Sequence, residues 1–238
     1  MWRLLFLTRD LAMNSFKLSP RTKMILKNFS RINPALLFRP GQELRTVSPN
    51  KDLVAVAKIT ETIPARFVIY DLNRFLKWIG DGDPVLIPHE DYLEIKGTDA
   101  SYKYHFTPEN MVLSAPEKDL EIELVITRFE LPNVDLQKAI KVLSISSHPE
   151  VRFTRENNIL TLESNDPQKI NLDLYSNELS NDDKGMNFKA RLKIEKLMAL
   201  FPTDYMVSIV SLGDSECATF QNEGDTIKYY VALNEFAC

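Results

Sequence analysis

The spacing of apolar and polar positions predicts many short strands and only four helices. Runs with alternating apolar and polar residues are typical of half-buried strands in antiparallel sheets. The predicted strands are residues 53–60, 65–70, 91–97, 101–107, 121–129, 151–155, 158–164, 170–176, 204–212 and 227–233. Helical spacing occurs at about 20–32, 71–79, 132–146 and 193–201. Strands mixed with a few short helices indicate an α+β fold.

Each predicted helix has a recognisable start or end signal. Ser19 followed by Pro20 is an N-cap with proline at the first helical position. Asp71 and Pro132 stand at the starts of the second and third helices, and Pro202 ends the fourth. These signals fix the helix boundaries more closely than the apolar spacing alone.

The helices occur in two similar pairs, which indicates an internal repeat. When residues 70–79 are laid over 192–201, the apolar positions coincide, and residues 25–30 match 139–144 in the same way. Chance can produce partial matches of this kind, but order, spacing and basic positions agree together, which favours duplication. We therefore expect two similar domains, at 16–107 and 120–238. A connector at 108–119 joins them, and residues 1–15 are expected to be an N-terminal extension that is disordered or not native.

Positive charge is concentrated on the helices of an otherwise acidic chain. The 238 residues include 29 Lys and Arg against 33 Asp and Glu, a formal net charge of −4. The four helices carry ten basic and three acidic residues, so they hold +7 and the remainder holds −11. The ten basic residues are Arg21, Lys23, Lys27, Arg31, Arg74, Lys77, Lys138, Lys141, Lys193 and Lys196. Eight of them lie opposite the apolar stripe of their helix, Lys193 lies at the edge of its stripe, and Arg21 is assigned to neither side.

This separation of charge has two interpretations. Lysines can simply solvate the outer faces of amphipathic helices. Surface helices, however, usually mix Glu with Lys to form pairs one turn apart, and these largely do not. Four helices with the same sign on the same side favour a polyanion held at one face and repelled elsewhere.

Enzyme chemistry and metal binding find little support. The two cysteines, Cys217 and Cys238, lie far apart, which fits a reducing cytoplasm and argues against a zinc site. The three histidines are scattered, so no metal or cofactor is expected. The segment Gly80–Asp83 lacks the lysine and third glycine of a phosphate-binding loop, so it reads as a helix end and turn. No stretch approaches the length of a membrane span.

A binding protein for single-stranded nucleic acid is the alternative that remains. Such proteins place exposed aromatic rings between basic residues as stacking platforms. Here Phe29, Phe75 and Phe201 fall on the predicted buried stripes, and only Trp78 lies beside basic residues, Arg74 and Lys77. A monomer or dimer with a basic helical face therefore stays as the second hypothesis.

Several short runs resemble the sliding clamps of T-even-type bacteriophages, relatives of PCNA and the bacterial β clamp. They are Phe16-Lys17-Leu18-Ser19, Leu26-Lys27-Asn28-Phe29 with Ile32-Asn33, Ile69-Tyr70-Asp71-Leu72-Asn73 with Phe75-Leu76, and Tyr230-Val231-Ala232-Leu233. The resemblance is strong over residues 16–80, is mainly one of pattern over 84–185, and does not include residues 1–15.

The resemblance implies a closed ring of three identical subunits around duplex DNA, with the helices lining the hole. It implies that the protein is not an enzyme and that it holds a DNA polymerase on its template. Carried onto this sequence, the DNA-facing residues are Lys23, Lys27, Arg31, Arg74, Lys77, Lys138, Lys141, Lys193 and Lys196. The strands near 101–107 and 170–176 are the candidates for the contact between subunits.

The resemblance also implies partners. They are the C-terminal peptide of the replicative polymerase, a clamp-loader ATPase and factors of late transcription, in the cytoplasm of the infected bacterial host. The polymerase peptide docks in an apolar groove in this family. Met111, Val112 and Leu113 of the connector could form one wall of such a groove, or could equally be a short edge strand.

Overall fold

The computed structural model describes residues 15–146, 148–166, 175–179, 186–213, 215–224 and 226–237. These form two compact units. Unit 1 contains the residues up to Pro49 and Ala55–Glu117, and unit 2 contains Asn50–Val54 and Lys118 onward. The division after Glu117 falls within the expected connector. The expected extension at 1–15 and the expected strand at 170–176 lie mostly outside the described residues.

Four helices are present where the sequence predicts them. They are α1 (Pro20–Ile32), α2 (Leu72–Ile79), α3 (Asn133–Ser146) and α4 (Ile194–Met198). A 3-10 turn covers Glu109–Met111. The first three agree with the prediction to within one residue at each end, whereas α4 is shorter than the predicted 193–201.

Unit 1 contains seven strands in the part of it that the structure describes. They are β1 (Leu36–Phe38), β2 (Gly41–Val47), β3 (Leu53–Ile63), β4 (Phe67–Ile69), β5 (Val85–Pro88), β6 (Tyr92–Lys96) and β7 (Ser101–His105), of which β3 begins in the short segment assigned to unit 2. β1 pairs with β4, β2 lies beside β3, and β5, β6 and β7 form an antiparallel sheet in that order. β7 is therefore an edge strand of its sheet.

Unit 2 contains nine strands in its described residues. They are β8 (Leu124–Leu131), β9 (Glu150–Glu156), β10 (Ile159–Asn165), β11 (Ser176–Leu179), β12 (Phe188–Lys193), β13 (Tyr205–Ser211), β14 (Glu216–Asn222), β15 (Ile227–Ala232) and β16 (Glu235–Ala237). One sheet has the order β11-β10-β9-β12-β16, and β8, β13, β14 and β15 are successive antiparallel neighbours. Among the described residues, β11 is the edge strand of its sheet.

The two units repeat one plan, as the sequence repeat predicts. In each, a helix is followed by four strands, a second helix and at least three more strands. Even the strand before the first helix has a counterpart, because Phe16 bridges Leu86 of β5 as β8 pairs with β13. The expected α+β fold with two similar domains is confirmed.

The helices of unit 1 pack on an aromatic core. Leu26 and Phe29 of α1 are fully buried, as is Phe75 of α2. The ring of Phe75 meets Tyr104 edge-on, with centroids 6.1 Å apart. Burying each such side chain contributes about 1.5–3 kcal/mol, so the apolar stripes fix the opposite, basic sides of both helices.

A carboxylate from a strand holds the start of α1. Ser19 N–H donates to Glu61 Oε1, and the Thr22 hydroxyl donates to Oε2 at 2.8 Å. Burial raises the pKa of Glu61, but these hydrogen bonds outweigh it and leave the pKa below its usual range. An acid at this helix start is thus supplied by β3, and the first turn of the helix itself contains no acidic residue.

Candidate nucleic-acid interface

The exposed side of α1 carries basic residues one turn apart. Lys27 and Arg31 are both exposed, while Ile25, Leu26 and Phe29 of the same helix are buried. The Ser19 side chain caps the helix by accepting from Thr22 N–H at 3.2 Å, and Pro20 follows it. The cap fixes where the helix begins and so sets which positions face outward.

Lys23 has a structural contact that the sequence did not reveal. Only 14% of its side-chain surface is exposed, and its Nζ lies 3.7 Å from Asp83. The same nitrogen donates to the carbonyl oxygens of Gly80 and Gly82, which follow the last turn of α2. Lysine is favourable there because it binds carbonyl oxygens at the C-cap and in the turn that follows the helix. Lys23 therefore joins α1 to the end of α2.

α2 presents Arg74 and Lys77 on its exposed side. Asp71 caps the helix by accepting from Arg74 N–H at 2.9 Å. The Arg74 guanidinium lies 5.0 Å from the ring centre of Trp78. Trp78 in turn packs edge-on against Tyr104, with centroids 5.7 Å apart. These contacts restrict the Arg74 side chain before any ligand binds.

A groove of about 530 Å³ runs between α1 and α2. Asn73 lies in it and joins the two helices, since its Oδ1 accepts from the Ser30 hydroxyl at 2.9 Å. The groove is lined by Pro20, Lys23, Met24, Lys27, Asn73, Leu76, Lys77, Gly80 and Asp81. Asn73 is absent from the expected DNA-facing set, although it lies one helical turn before Lys77 on the same exposed side.

In unit 2, α3 carries two exposed basic residues, Lys138 and Lys141. Lys138 Nζ donates to Asn177 Oδ1 at 3.2 Å. The same exposed side holds aliphatic residues, with Val134 72% and Ile145 78% exposed. The sequence prediction of a basic side is thus fulfilled on α3 only in part.

The expected exposure of Lys196 on α4 is wrong. The residue is only 8% exposed, and its Nζ lies 2.5 Å from Asp52 Oδ1. The reason is the short helix: α4 begins at Ile194, so Leu197 is buried and Lys196 turns inward beside it. Met198, expected on the buried stripe, is 41% exposed. Lys193, just before the helix, is exposed as expected.

The connector is held against unit 1 by ion pairs. Arg66 donates to both carboxylate oxygens of Glu109 and also to Glu117 at 3.2 Å. These hydrogen bonds from Arg66 lower the pKa of Glu109, and the pairing raises the pKa of Arg66. Asn33 Nδ2 donates to the Leu113 carbonyl at 3.3 Å. The connector backbone is therefore fixed at both ends of its 3-10 turn.

The expected groove residues lie on this connector. Met111 is 68% exposed and Leu113 38% exposed, whereas Val112 is half-buried. The alternative that residues 111–113 form an edge strand is wrong, because Met111 ends the 3-10 turn and no strand covers these three positions.

The described residues contain neither a candidate metal site nor a candidate membrane-spanning helix. No group of three or more His, Cys, Asp or Glu side chains within them could hold a metal ion. No helix in the same part of the chain is long and apolar enough to cross a membrane.

No protein-family model matches the sequence. Three curated relatives do, each named a sliding clamp. Those of Vibrio phage KVP40 and Enterobacteria phage T4 are both 28% identical over 222 residues, which is 91% of this chain and 98% and 96% of theirs. The relative from Escherichia phage RB69 is 25% identical over 223 residues, 91% of this chain and 96% of its own. The expectation that the protein is not an enzyme is confirmed by these relatives.

Solved structures show the same fold at low identity. PCNA from Thermococcus kodakaraensis superposes with a TM-score of 0.67 at 13% identity, covering 92% of this chain and 99% of that one. The DNA polymerase III β chain of Streptococcus pneumoniae gives 0.66 at 13% identity, over 93% of this chain and 65% of that one. The sequence over nine-tenths of the chain and the fold both match sliding clamps, so the expected resemblance to the sliding clamps of T-even-type bacteriophages is confirmed.

Proposed function

We propose that three copies of this chain close into a ring around duplex DNA and tether the replicative DNA polymerase for processive synthesis. The observation that carries the proposal is the pair of basic helices in unit 1 within a chain whose relatives are sliding clamps. Contacts from lysine and arginine to phosphate are independent of sequence, so a ring held by them can slide. The acidic remainder of the chain repels DNA from other surfaces.

The proposed DNA-facing set is the expected one without Lys196. It consists of Lys23, Lys27, Arg31, Arg74, Lys77, Lys138, Lys141 and Lys193. Lys196 is left out because its amine is buried and already forms an ion pair with Asp52, so it is not accessible to a phosphate. Within the set, Lys23 mainly holds α1 in place, because its amine already binds the residues at the end of α2.

We place the contact between subunits at the edge strands β7 and β11. β7 belongs to unit 1 and β11 to unit 2, so pairing between copies would be head-to-tail, as three-fold closure requires. Both strands offer unpaired backbone groups at the edge of a sheet. Exposed side chains of opposite charge, Lys103 and Glu178, support this assignment.

The polymerase peptide would dock beside the connector, on the exposed apolar side chains of Met111 and Leu113 with Val112 between them. A clamp-loader ATPase would open the ring, and support of late transcription would use the same surface. These steps would take place in the cytoplasm of the infected bacterial host. A solved neighbour described as the C-terminal region of FEN-1 bound to A. fulgidus PCNA supports the proposal that a partner peptide docks on this chain.

The alternative of a monomeric or dimeric nucleic-acid-binding protein is less well supported. Phe29 and Phe75 are buried and unavailable for stacking on bases. Trp78 is engaged by Arg74, Tyr102 and Tyr104. The rings of Phe29, Phe75 and Trp78 are therefore already packed within the protein.

The solution mass tests the assembly. Light scattering over a dilution series is expected to give three times the chain mass of 27.4 kDa. A mass of one or two chains at every concentration would contradict the ring and favour the alternative.

A further inference from the structure

The exposed positive charge of the helices is unevenly divided between the two units. On α1 and α2 the exposed basic residues are Arg21, Lys27, Arg31, Arg74 and Lys77, and the one acid, Asp71, is used as a helix cap. On α3 and α4 they are Lys138, Lys141 and Lys193, with Asp135 and Glu195 on the same helices. The burial of Lys196 against Asp52 lowers the share of unit 2 further.

The groove between α1 and α2 has the side chains of a phosphate-binding site. Lys27 and Lys77 line it from opposite helices. Among the described residues neither amine forms a hydrogen bond or ion pair, so both are available to a ligand. Asn73 can add an amide donor, because Ser30 occupies its carbonyl oxygen. An anion between two amines and an amide gains three donors without displacing an existing ion pair.

The acids near this groove do not close it. Asp83 is paired with Lys23, which is itself held by the carbonyls after α2. Asp81 lines the rim and is exposed. Its carboxylate repels an anion at the rim, so an anion is favoured close to Lys27 and Lys77.

α3 is the counterpart of α1 in the repeat, and it lacks these features. Val134, Val142 and Ile145 take up much of its exposed side. Aliphatic groups exclude a strand of DNA sterically but provide no attraction for phosphate. Lys138 also has a protein partner, Asn177.

We infer that unit 1 carries most of the attraction for DNA, with the phosphate backbone seated in the α1–α2 groove by Lys27 and Lys77, and that unit 2 mainly guides the duplex. The inference rests on the proposed function, because it divides the affinity for DNA between the two units of a ring that encircles the duplex. A ring of three chains would then hold DNA at three grooves and guide it at three weaker faces between them.

Paired substitutions that remove the same charge from each unit test this division. The variants are Lys27→Gln with Lys77→Gln in unit 1 and Lys138→Gln with Lys141→Gln in unit 2. A third pair, Lys96→Gln with Lys118→Gln, removes two exposed lysines outside the helices as a control. Each is titrated against a fluorescent linear duplex with open ends, onto which a ring can thread, at several salt concentrations.

The unit 1 pair is expected to weaken binding at least about tenfold and to lower the slope of log affinity against log salt by nearly 0.9 for each lost phosphate contact. The unit 2 pair is expected to weaken binding about twofold, since its contacts are fewer, and the control pair to leave it unchanged. Equal losses from both helix pairs, or a larger loss from unit 2, would overturn the inference while leaving the ring intact. Failure of the unaltered protein to bind duplex would instead overturn the proposed function.

Discussion

Replacing Asp52 with asparagine is expected to lower the free energy of unfolding of unit 2 by about 3 kcal/mol. The substitution removes the carboxylate 2.5 Å from Lys196 Nζ and leaves a buried amine without its main partner. Glu195 lies 3.4 Å from the same nitrogen but is mostly exposed, so it compensates only in part. Hydrogen exchange in increasing denaturant, followed on peptides of α4 and β12, measures the loss in the unit that holds the pair.

Two controls separate the buried charge from the loss of any carboxylate. Asp81→Asn removes an exposed carboxylate and is expected to change stability by less than about 0.5 kcal/mol. Adding Lys196→Met to Asp52→Asn removes the stranded charge and should restore part of the stability. If Asp52→Asn lowered the free energy of unfolding as little as Asp81→Asn does, Lys196 could not be held in a buried ion pair with Asp52. It would then return to the proposed DNA-facing set.

Replacing Lys103 with proline is expected to reduce the assembly from three chains to one. The Phe106 N–H donates to the Asp91 carbonyl, and the Gly97 N–H donates to the Ala100 carbonyl. These two hydrogen bonds lie at opposite ends of the β6–β7 ladder. Hydrogen-bonded pairs alternate in an antiparallel ladder, so the N–H groups of Tyr102 and Tyr104 face β6 and that of Lys103 faces outward. Proline at 103 therefore removes a donor from the free edge alone and blocks a partner strand.

The matched control is Lys103→Ala, which shortens the same side chain and keeps the N–H group. Both variants should retain the circular dichroism spectrum of the unaltered chain. Light scattering should then report three chains for the alanine variant and one for the proline variant. A proline variant that stayed trimeric would show that β7 does not pair across the subunit contact.

The helices could be predicted because their signals are local. Ser19, Pro20 and Asp71 act within the first turn that follows each of them, and their capping contacts occur as the sequence indicates. The apolar stripes of α1 and α2 face the core of unit 1, so the exposed positions of Lys27, Arg31, Arg74 and Lys77 could be predicted as well.

Several strands could not be found in the same way. β1 and β16 have three residues each, too few to show a period. β2 begins at a glycine, and β14 reads Glu-Cys-Ala-Thr-Phe-Gln-Asn with four consecutive buried residues, which hides the alternation. β12 does alternate, with Phe188, Ala190 and Leu192 buried, and its pattern was missed.

Contacts between distant residues account for the errors in the candidate site. The partner of Lys196 lies 144 residues earlier in the chain, and nothing near Asp52 indicates the pairing. Lys23 is similar, since its partners follow α2 rather than α1. Helical spacing gives the direction of a side chain only when the helix has the predicted length, and α4 does not.

Binding to a linear duplex with blocked ends tests the encircling ring most directly. The account predicts that protein mixed with an open duplex is retained at high salt once both ends are capped with streptavidin. Protein added after capping should bind poorly, because a closed ring cannot thread onto the DNA. Equal binding in both orders of addition, with equal loss on raising the salt, would contradict it and show that the basic helices form an open face.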